Sequence, residues 1–222
     1  MRNWFPVLSA VALLGGIPAV VCAGPHMTRI PEGQFPAEQI KGTVACDSLL
    51  RYDDGTDDRP GSGYTLGWFE PTQYQYLGVR FTPPATGSDY QVQSASFLAE
   101  FWIRPGPIEV HAQQLDDPTN QTVASVNVTD GGIWEVEFAT PICIPGGKEY
   151  VIMLCATPDG GFGVTGEDTS APDGRSTWSF NGPCAIAGAF PDDDLMIWSC
   201  VTECAIVPTL GTSWGRIKSV YR

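Results

Sequence analysis

Three acid-rich turns carry the side chains most able to bind a metal ion. Calcium takes about six to eight oxygen ligands, and flexible loops with several carboxylates supply them. The spacing here is not that of an EF-hand loop, and aspartate also favours turns that bind no metal. We predict a calcium site with candidate ligands Asp53, Asp54, Asp57, Asp58, Glu167, Asp168 and Asp173, and a third acid run at Asp192-Asp193-Asp194.

A pair of glutamates gives the strongest indication of catalysis. Glu135 and Glu137 alternate with apolar residues, so they would lie roughly 7 Å apart on one strand face, a spacing that glycosidase carboxylates can have. Alternating acids are also what the solvated face of an antiparallel sheet shows. His111 has the setting of an exposed strand histidine. We therefore assign no catalytic residue, and a jelly-roll glycoside hydrolase stays an alternative.

Aromatic side chains near predicted strand ends and loops are candidates for ligand contact. Their flat rings can stack on sugar rings through apolar faces. Most large aromatic residues in a sandwich of this size belong instead to the core. The candidates are Trp102, Trp178, Tyr74 and Tyr76.

The N-terminal 23 residues have the form of a secretory signal peptide. The basic start Met1-Arg2-Asn3 precedes an uncharged apolar run from Trp4 to Val21, and Val21-Cys22-Ala23 matches a signal peptidase site. Glycine and proline interrupt the run, which is short for a transmembrane anchor; lipid attachment at Cys22 is a second alternative. We predict cleavage after Ala23 and a secreted or cell-surface protein that has no membrane span once the signal is removed.

Export also determines how the cysteines are interpreted. Six remain after the signal peptide is removed, and an even number in an exported chain predicts disulfides. Zinc is weakly indicated because the sequence has no C-x-x-C motif and only 2 histidines. Spacing alone does not select a pairing. The disulfide candidates are Cys46, Cys143, Cys155, Cys184, Cys200 and Cys204.

The net charge limits the classes of partner. Without Arg2, the mature chain has 11 lysines and arginines against 25 aspartates and glutamates, a formal charge of −14. An acidic protein repels phosphate backbones and anionic membrane surfaces. We therefore expect no nucleic-acid partner. A neutral glycan, an extracellular protein or a divalent cation suits this charge.

The remaining 199 residues are enough for one domain with tails. Residues 24–45 are polar and contain three prolines, which predicts an extended lead or linker. Residues 46–204 form the predicted domain, and residues 205–222 a C-terminal tail. In the tail, Trp214, Ile217 and Tyr221 follow a helical spacing. The tail is either a sorting or docking tag or a frayed terminus.

Short β-prone runs, separated by glycine, proline, aspartate and asparagine, recur through the predicted domain. Period-two alternation, as in Ile108, Val110 and Ala112, is typical of half-buried strands. We predict an all-β fold, a two-sheet antiparallel β-sandwich of the jelly-roll type, with an up-and-down barrel as the alternative. Glycine-containing turns at 130–132 and 145–147 are expected to join antiparallel neighbours. The predicted strands are 49–53, 64–69, 75–82, 90–104, 107–115, 122–129, 132–139, 148–157, 162–166, 175–180 and 194–202.

Several segments also carry a resemblance to known domains. The stretches at 50–56 (LRYDDGT), 77–84 (LGVRFTPP), 108–110 (IEV), 169–179 (TSAPDGRSTWS) and 194–197 (DLMI) resemble bacterial secreted jelly-roll domains. Those modules are non-catalytic and are similar to carbohydrate-binding or galactose-binding-like domains. The end of the chain, 212–218 (TSWGRIK), looks like a recurring terminus of such secreted proteins. The resemblance covers about residues 49–202, transfers no binding residue, and leaves the many cysteines unexplained, since the usual pattern is cysteine-poor.

The predicted function follows from export, the strand pattern and the lack of an assigned catalytic group. We expect a non-enzymatic extracellular or cell-surface module that binds a glycan or a protein partner. One alternative is a structural subunit of a surface layer or filament, whose 24–45 arm adds a strand to a neighbour. The other alternative is the jelly-roll glycoside hydrolase.

Overall fold

The fold is all-β. The computed structural model describes residues 26–28, 46–53, 56–58, 64–66, 76–158, 160–169, 173–179 and 193–204, and no helix occurs within them. The predicted signal peptide and the C-terminal tail lie outside these ranges. In the described ranges no helix is long and apolar enough to cross a membrane.

Fourteen strands follow one another in the described residues. Their bounds are β1 His26–Thr28, β2 Ser48–Leu50, β3 Tyr64–Leu66, β4 Tyr76–Phe81, β5 Asp89–Arg104, β6 Gly106–Gln114, β7 Gln121–Val128, β8 Gly132–Pro145, β9 Tyr150–Ala156, β10 Phe162–Thr165, β11 Glu167–Asp168, β12 Ser176–Ser179, β13 Asp194–Leu195 and β14 Ile197–Glu203.

The strands form two main sheets with antiparallel pairing. The seven-stranded sheet has the order β1-β8-β5-β10-β3, and β14 pairs with both β5 and β2. The five-stranded sheet has the order β12-β4-β9-β6-β7, and β11 pairs with β13 in a separate two-stranded ribbon. The predicted two-sheet antiparallel sandwich is confirmed. The predicted strands match in position, with two differences: β8 continues past the predicted strand 132–139 to Pro145, and the predicted strand 194–202 is divided into β13 and β14. Strands β1 and β11 were not predicted.

The two glycine-containing turns do not join paired neighbours, and that expectation was wrong. Strand β7 belongs to the five-stranded sheet and β8 to the seven-stranded one, so the turn at 130–132 crosses between sheets. A Cβ on Gly131 would lie 2.4 Å from the carbonyl oxygen of Glu100. The turn into β9 crosses back, with Gly147 at φ 78°. Glycine here allows the chain to turn tightly from one sheet to the other. The sequence of such a turn looks the same as that of a hairpin turn between paired strands.

The core lies between the two sheets and is built by the predicted alternation. Ile108, Val110 and Ala112 of β6 are fully buried and pack with Phe97 of β5 and Ile152 of β9 in one cluster. Burial of aliphatic and aromatic side chains of this kind contributes roughly 25 cal/mol per Å² of apolar area. The main cluster therefore supplies the largest favourable term for folding.

Parts of both outer sheet surfaces are buried as well. On the seven-stranded sheet, Leu98, Ile133, Met196 and Trp198 form a second apolar cluster. Glu135, two residues after Ile133 on β8, is only 8% exposed. On the five-stranded sheet the corresponding cluster is Tyr76, Val151, Met153 and Cys155. A simple pattern of buried and exposed alternation therefore fails on these strands.

Disulfides link the strands at two places. Cys46 is bonded to Cys200 of β14, and Cys143 of β8 to Cys204. Cys155 is also disulfide-bonded. Cys184 lies outside the described residues. Disulfides persist in oxidising compartments, so these bonds agree with an extracellular environment.

Candidate functional site

The outward side of β6 and β7 is exposed and regular. The two strands pair without interruption from Gly106 opposite Val128 to Gln113 opposite Gln121. Inward residues are mainly buried, whereas outward residues are half-buried or exposed. We call the outward side the polar face. It consists of Glu109, His111 and Gln113 of β6 and Gln121, Val123, Ser125 and Asn127 of β7.

The polar face carries hydrogen-bonding groups with little charge. Nε2 of His111 lies 2.9 Å from Oε2 of Glu109, and their side chains are 16% and 47% exposed. Glu109 is the single carboxylate of the face, in a chain of net charge −13. Amide, hydroxyl and imidazole groups can both donate and accept hydrogen bonds. The face can therefore bind a neutral ligand rich in hydroxyl or amide groups.

A second group, which we call the acidic cluster, consists of Asp168, Asp173 and Asp194. Asp168 of β11 lies opposite Asp194 of β13, and the backbone N–H of Asp173 donates to Oδ1 of Asp194 over 3.4 Å. Asp168 and Asp194 are only 2% and 3% exposed. Burial and the negative charge of Asp173, with a smaller contribution from Asp168, raise the pKa of Asp194 to about 7. Burial and the neighbouring carboxylates therefore favour the neutral form of Asp194.

Arg175 attaches the acidic cluster to the core. Its backbone N–H donates to Oδ1 of Asp173 over 2.9 Å, and its Nε lies 3.4 Å from Oδ2 of the same residue. The guanidinium also lies 4.3 Å from the ring centroid of Tyr52. Tyr52 in turn contacts Phe81 of the core, with ring centroids 5.5 Å apart. Asp173 is thus held by contacts that reach the interior.

The acid-rich turns predicted as candidate metal ligands converge at the two-stranded ribbon. The backbone N–H of Asp58 donates to the carbonyl oxygen of Glu167 over 3.0 Å. Oδ2 of Asp58 accepts bonds from the N–H and the hydroxyl of Thr169 at 2.9 and 3.1 Å. Asp57 is half-buried, and its Oδ1 is buried without a hydrogen-bond partner. Turns far apart in the sequence therefore meet at one place.

Asp53 has a different role from the neighbouring aspartates. Its carboxylate accepts a hydrogen bond from the indole of Trp198 and forms an ion pair with Arg51. Burial raises its pKa, and the positive charge of Arg51 opposes that rise. Asp53 therefore connects the loop after β2 to Trp198, which belongs to the apolar cluster on the outer surface of the seven-stranded sheet.

The predicted calcium site is not present as an assembled ligand set in the residues that the structure describes. Among them, no group of three or more histidine, cysteine, aspartate or glutamate side chains is arranged to hold a metal ion. Asp54 and Asp192 lie outside the described residues. Calcium binding thus stays a prediction.

The aromatic candidates are not brought together. Trp102 lies near the end of β5 and Trp178 on β12, in different sheets, and each is half-buried against the core. Tyr76 is 1% exposed, so it presents no ring face to a ligand. Tyr74 lies outside the described residues.

The glutamates considered for hydrolysis lie in unequal environments. Glu135 is buried and accepts a hydrogen bond of 3.2 Å from the hydroxyl of Ser94, whereas Glu137 is exposed. His111 lies on the polar face beside Glu109. Sequence analysis missed the polar face, although the alternation of residues 121–128 was the signal for it, because no single residue there is a strong functional marker.

No protein-family model matches this chain, and none of the curated proteins matches it either.

Proposed function

We propose that the chain is a secreted or cell-surface, non-enzymatic binding module that recognises a neutral glycan or an extracellular protein through the polar face. The observation that carries this proposal is the uninterrupted pairing of β6 with β7, which spaces polar side chains evenly on one exposed surface. A paired sheet fixes its side chains better than a loop does, and pre-ordered groups lose less entropy on binding.

The composition of the face supports a ligand without charge. His111, Gln113, Gln121 and Asn127 offer donors and acceptors, and Val123, which is 47% exposed, adds an apolar contact. Sugar hydroxyls and peptide amides need both kinds of hydrogen bond. An anionic polymer would be repelled by a protein of net charge −13.

The buried outer surface of the opposite sheet supports the same assignment. Trp198 is fully buried, and Leu98 and Ile133 are 4% and 3% exposed. A ligand cannot reach these side chains without displacing what covers them. In the acidic cluster, Asp168 and Asp194 are buried, whereas the outward residues of β7 on the polar face are exposed. The polar face is therefore the better surface for recognition.

Glycan-array screening of the mature protein, with pull-down on secreted polymers, tests the proposal. We expect binding that falls by about tenfold or more in a His111→Ala, Gln121→Ala double variant, because each lost hydrogen bond costs roughly 1 kcal/mol or more. Glu137→Gln is the matched control, since Glu137 is an exposed polar residue of the other sheet. Absence of binding to both glycans and polymers would overturn the proposal.

A second candidate function is that of a structural subunit, and β1 is the observation that favours it. His26, Met27 and Thr28 pair with Glu135, Trp134 and Ile133 on β8 of the same chain. The arm thus has a strand-forming segment near the predicted mature N-terminus. The same three-residue strand could be supplied to a neighbouring copy.

Cross-linking distinguishes the two arrangements of the arm. A chain carrying only His26→Cys is mixed with a chain carrying only Glu135→Cys, and oxidation products are separated on a non-reducing gel. A covalent dimer made of one chain of each kind supports a structural subunit. Monomers alone, with efficient internal cross-linking in a chain carrying both changes, would exclude it.

A further inference from the structure

A further disulfide of the chain involves Cys155 of β9. Cys155 is disulfide-bonded, and the other cysteines in the part of the chain that the structure describes are joined to one another in two bonds. The sequence holds 7 cysteines, so the cysteines left as partners are Cys22 and Cys184. Cys22 lies in the predicted signal peptide. In the mature chain, Cys184 is therefore the cysteine left for Cys155.

The register of the five-stranded sheet makes this bond sterically possible. Strand β12 ends at Ser179, which lies opposite Tyr76 of β4, and Tyr76 lies opposite Cys155. Because neighbouring strands are about 4.8 Å apart, the Cα atoms of Ser179 and Cys155 are separated by about 10 Å. Cys184 follows Ser179 by a stretch of chain that can span up to about 17 Å. A disulfide needs Cα atoms about 4.4–6.8 Å apart, so the bond can close without moving β12.

The side of the sheet on which Cys155 lies is apolar and buried. Val151 and Met153 of β9 are 0% exposed, Tyr76 is 1% exposed, and the three form one cluster with Cys155. Along β9 these residues alternate with those that pack in the main core, so their side chains lie on the outer side of the sheet. The seven-stranded sheet packs on the inner side and therefore cannot be what covers them.

The segment that contains Cys184 has a composition suited to this surface. We call residues 180–192, which lie outside the described ranges, the covering segment. Its sequence, FNGPCAIAGAFPD, contains two phenylalanines, an isoleucine and three alanines, and its one charged residue is Asp192 at the end. Apolar side chains are stabilised when they leave water for an apolar surface. A segment that starts beside Tyr76 and is bonded to Cys155 has to pass over the cluster.

We propose that a disulfide between Cys155 and Cys184 holds the covering segment over the apolar cluster on the outer side of β4 and β9. The Sγ–Sγ bond forms when the two thiols lose two protons and two electrons to a thiol–disulfide oxidoreductase, whose own disulfide is reduced to a dithiol. Oxidising compartments allow such bonds to form and persist. Glu109 of the polar face lies opposite Cys155, so the covered surface ends where the polar face begins.

Non-reducing peptide mapping of the mature protein tests the bond. Digestion with trypsin and endoproteinase Asp-N places Cys155 in residues 149–158 and Cys184 in residues 176–191, and leaves the other cysteines on different peptides. We expect these two peptides to be linked in a monomer and to separate after reduction. Free thiols at both positions, Cys155 linked to any other cysteine, or a disulfide-linked dimer on a non-reducing gel would overturn the proposal.

Methionine oxidation tests the cover. Peroxide converts accessible methionines to the sulfoxide. Met153 is 0% exposed in this cluster, and Met196 is 0% exposed in the outer cluster of the other sheet. In a Cys155→Ser, Cys184→Ser double variant, we expect Met153 to be oxidised about tenfold or more faster than in the wild type, because the covering segment opens locally more often. Met196 is the matched control and should keep its rate.

The two methionines separate loss of the cover from loss of the fold. An unchanged rate at Met153 in the double variant would show that the bond does not hold the covering segment in place, and would overturn the proposal. An equal rise at Met153 and Met196 would mean that the whole fold opens, and would contradict a local role of the bond. Neither measurement involves a ligand of the polar face, so a failure here is independent of the proposed function.

Discussion

The indole Nε1 of Trp198 donates a hydrogen bond of 2.5 Å to Oδ2 of Asp53. Trp198 is fully buried and Asp53 is 8% exposed, so neither group can exchange this bond for one to water. Arg51 balances the charge of the carboxylate. The bond joins β14 to the chain segment after β2 across 145 residues of sequence.

Removing this bond should destabilise the fold. In Asp53→Ala the indole N–H of Trp198 is left buried without an acceptor, which costs about 1–3 kcal/mol. Asp53→Asn keeps an acceptor and should lose less. Urea denaturation measures both, with the exposed Asp89→Ala as a control expected to change stability by about 0.5 kcal/mol or less. Equal stability of Asp53→Ala and the wild type would contradict the role of the bond.

Asp194 should make stability depend on pH near neutrality. Its pKa in the fold is about 7, above the ordinary value of 3.8. The folded state therefore holds a proton that the unfolded state has released, and the free energy of unfolding falls as the pH rises from about 4 to about 7. The negative charges of Asp173 and Asp168 both contribute to this raised pKa, and Arg175 is paired with Asp173.

Comparison with Asp194→Asn isolates this effect. The asparagine variant cannot ionise, so its stability relative to the wild type should increase between pH 4 and pH 7 and stay constant above that range. Urea denaturation at several pH values gives the difference directly. A difference that is independent of pH, or that decreases as the pH rises, would show that Asp194 ionises normally.

The disulfide between Cys143 and Cys204 should contribute strongly to stability. It joins positions 61 residues apart, and the chain-entropy relation gives about 4 kcal/mol for a loop of that length. A Cys143→Ala, Cys204→Ala double variant should lose about that amount in urea denaturation. Peptide mapping under non-reducing conditions checks the connectivity. Recovery of Cys143 or Cys204 linked to a different cysteine would contradict the assignment.

The corner at Gly131 should not accept a side chain. A Cβ there would lie 2.4 Å from the carbonyl oxygen of Glu100, so Gly131→Ala must displace backbone and should cost about 1–3 kcal/mol. Gly87→Ala is the control, because its Cβ would meet nothing within 4 Å and only its φ of 85° is unfavourable. A thermal melt compares the two. Gly131→Ala as stable as Gly87→Ala would mean that the corner is not tightly packed.

Strand positions were predictable because alternation records which side of a strand faces the core. Ile108, Val110 and Ala112 follow this rule. Sheet membership was not predictable, since a turn such as 130–132 reads the same within a sheet and between sheets. The short β1 was missed because its three residues leave no periodic signal. The jelly-roll connection pattern stays a prediction.

The candidate site was predicted less well than the fold. Clustered carboxylates suggest a metal site in a sequence, yet the carboxylate of Asp53 accepts a hydrogen bond from Trp198 and pairs with Arg51. The sequence does not show a partner as distant as Trp198. The convergence of Asp58 with Thr169 depends on tertiary contacts for the same reason. The polar face consists of residue types that do not mark a functional site in a sequence. They form one surface only because β6 and β7 pair in this register.

The most direct test of the proposed binding surface is amide chemical-shift mapping of the ¹⁵N-labelled mature protein with neutral cello-, manno- and chito-oligosaccharides and with any partner found by pull-down. The account predicts shifts concentrated in residues 106–114 and 121–128. These shifts should be lost in the His111→Ala, Gln121→Ala variant and kept in Glu137→Gln. Shifts concentrated instead at residues 167–169 and 193–195, or no shift with any of these ligands, would contradict the account.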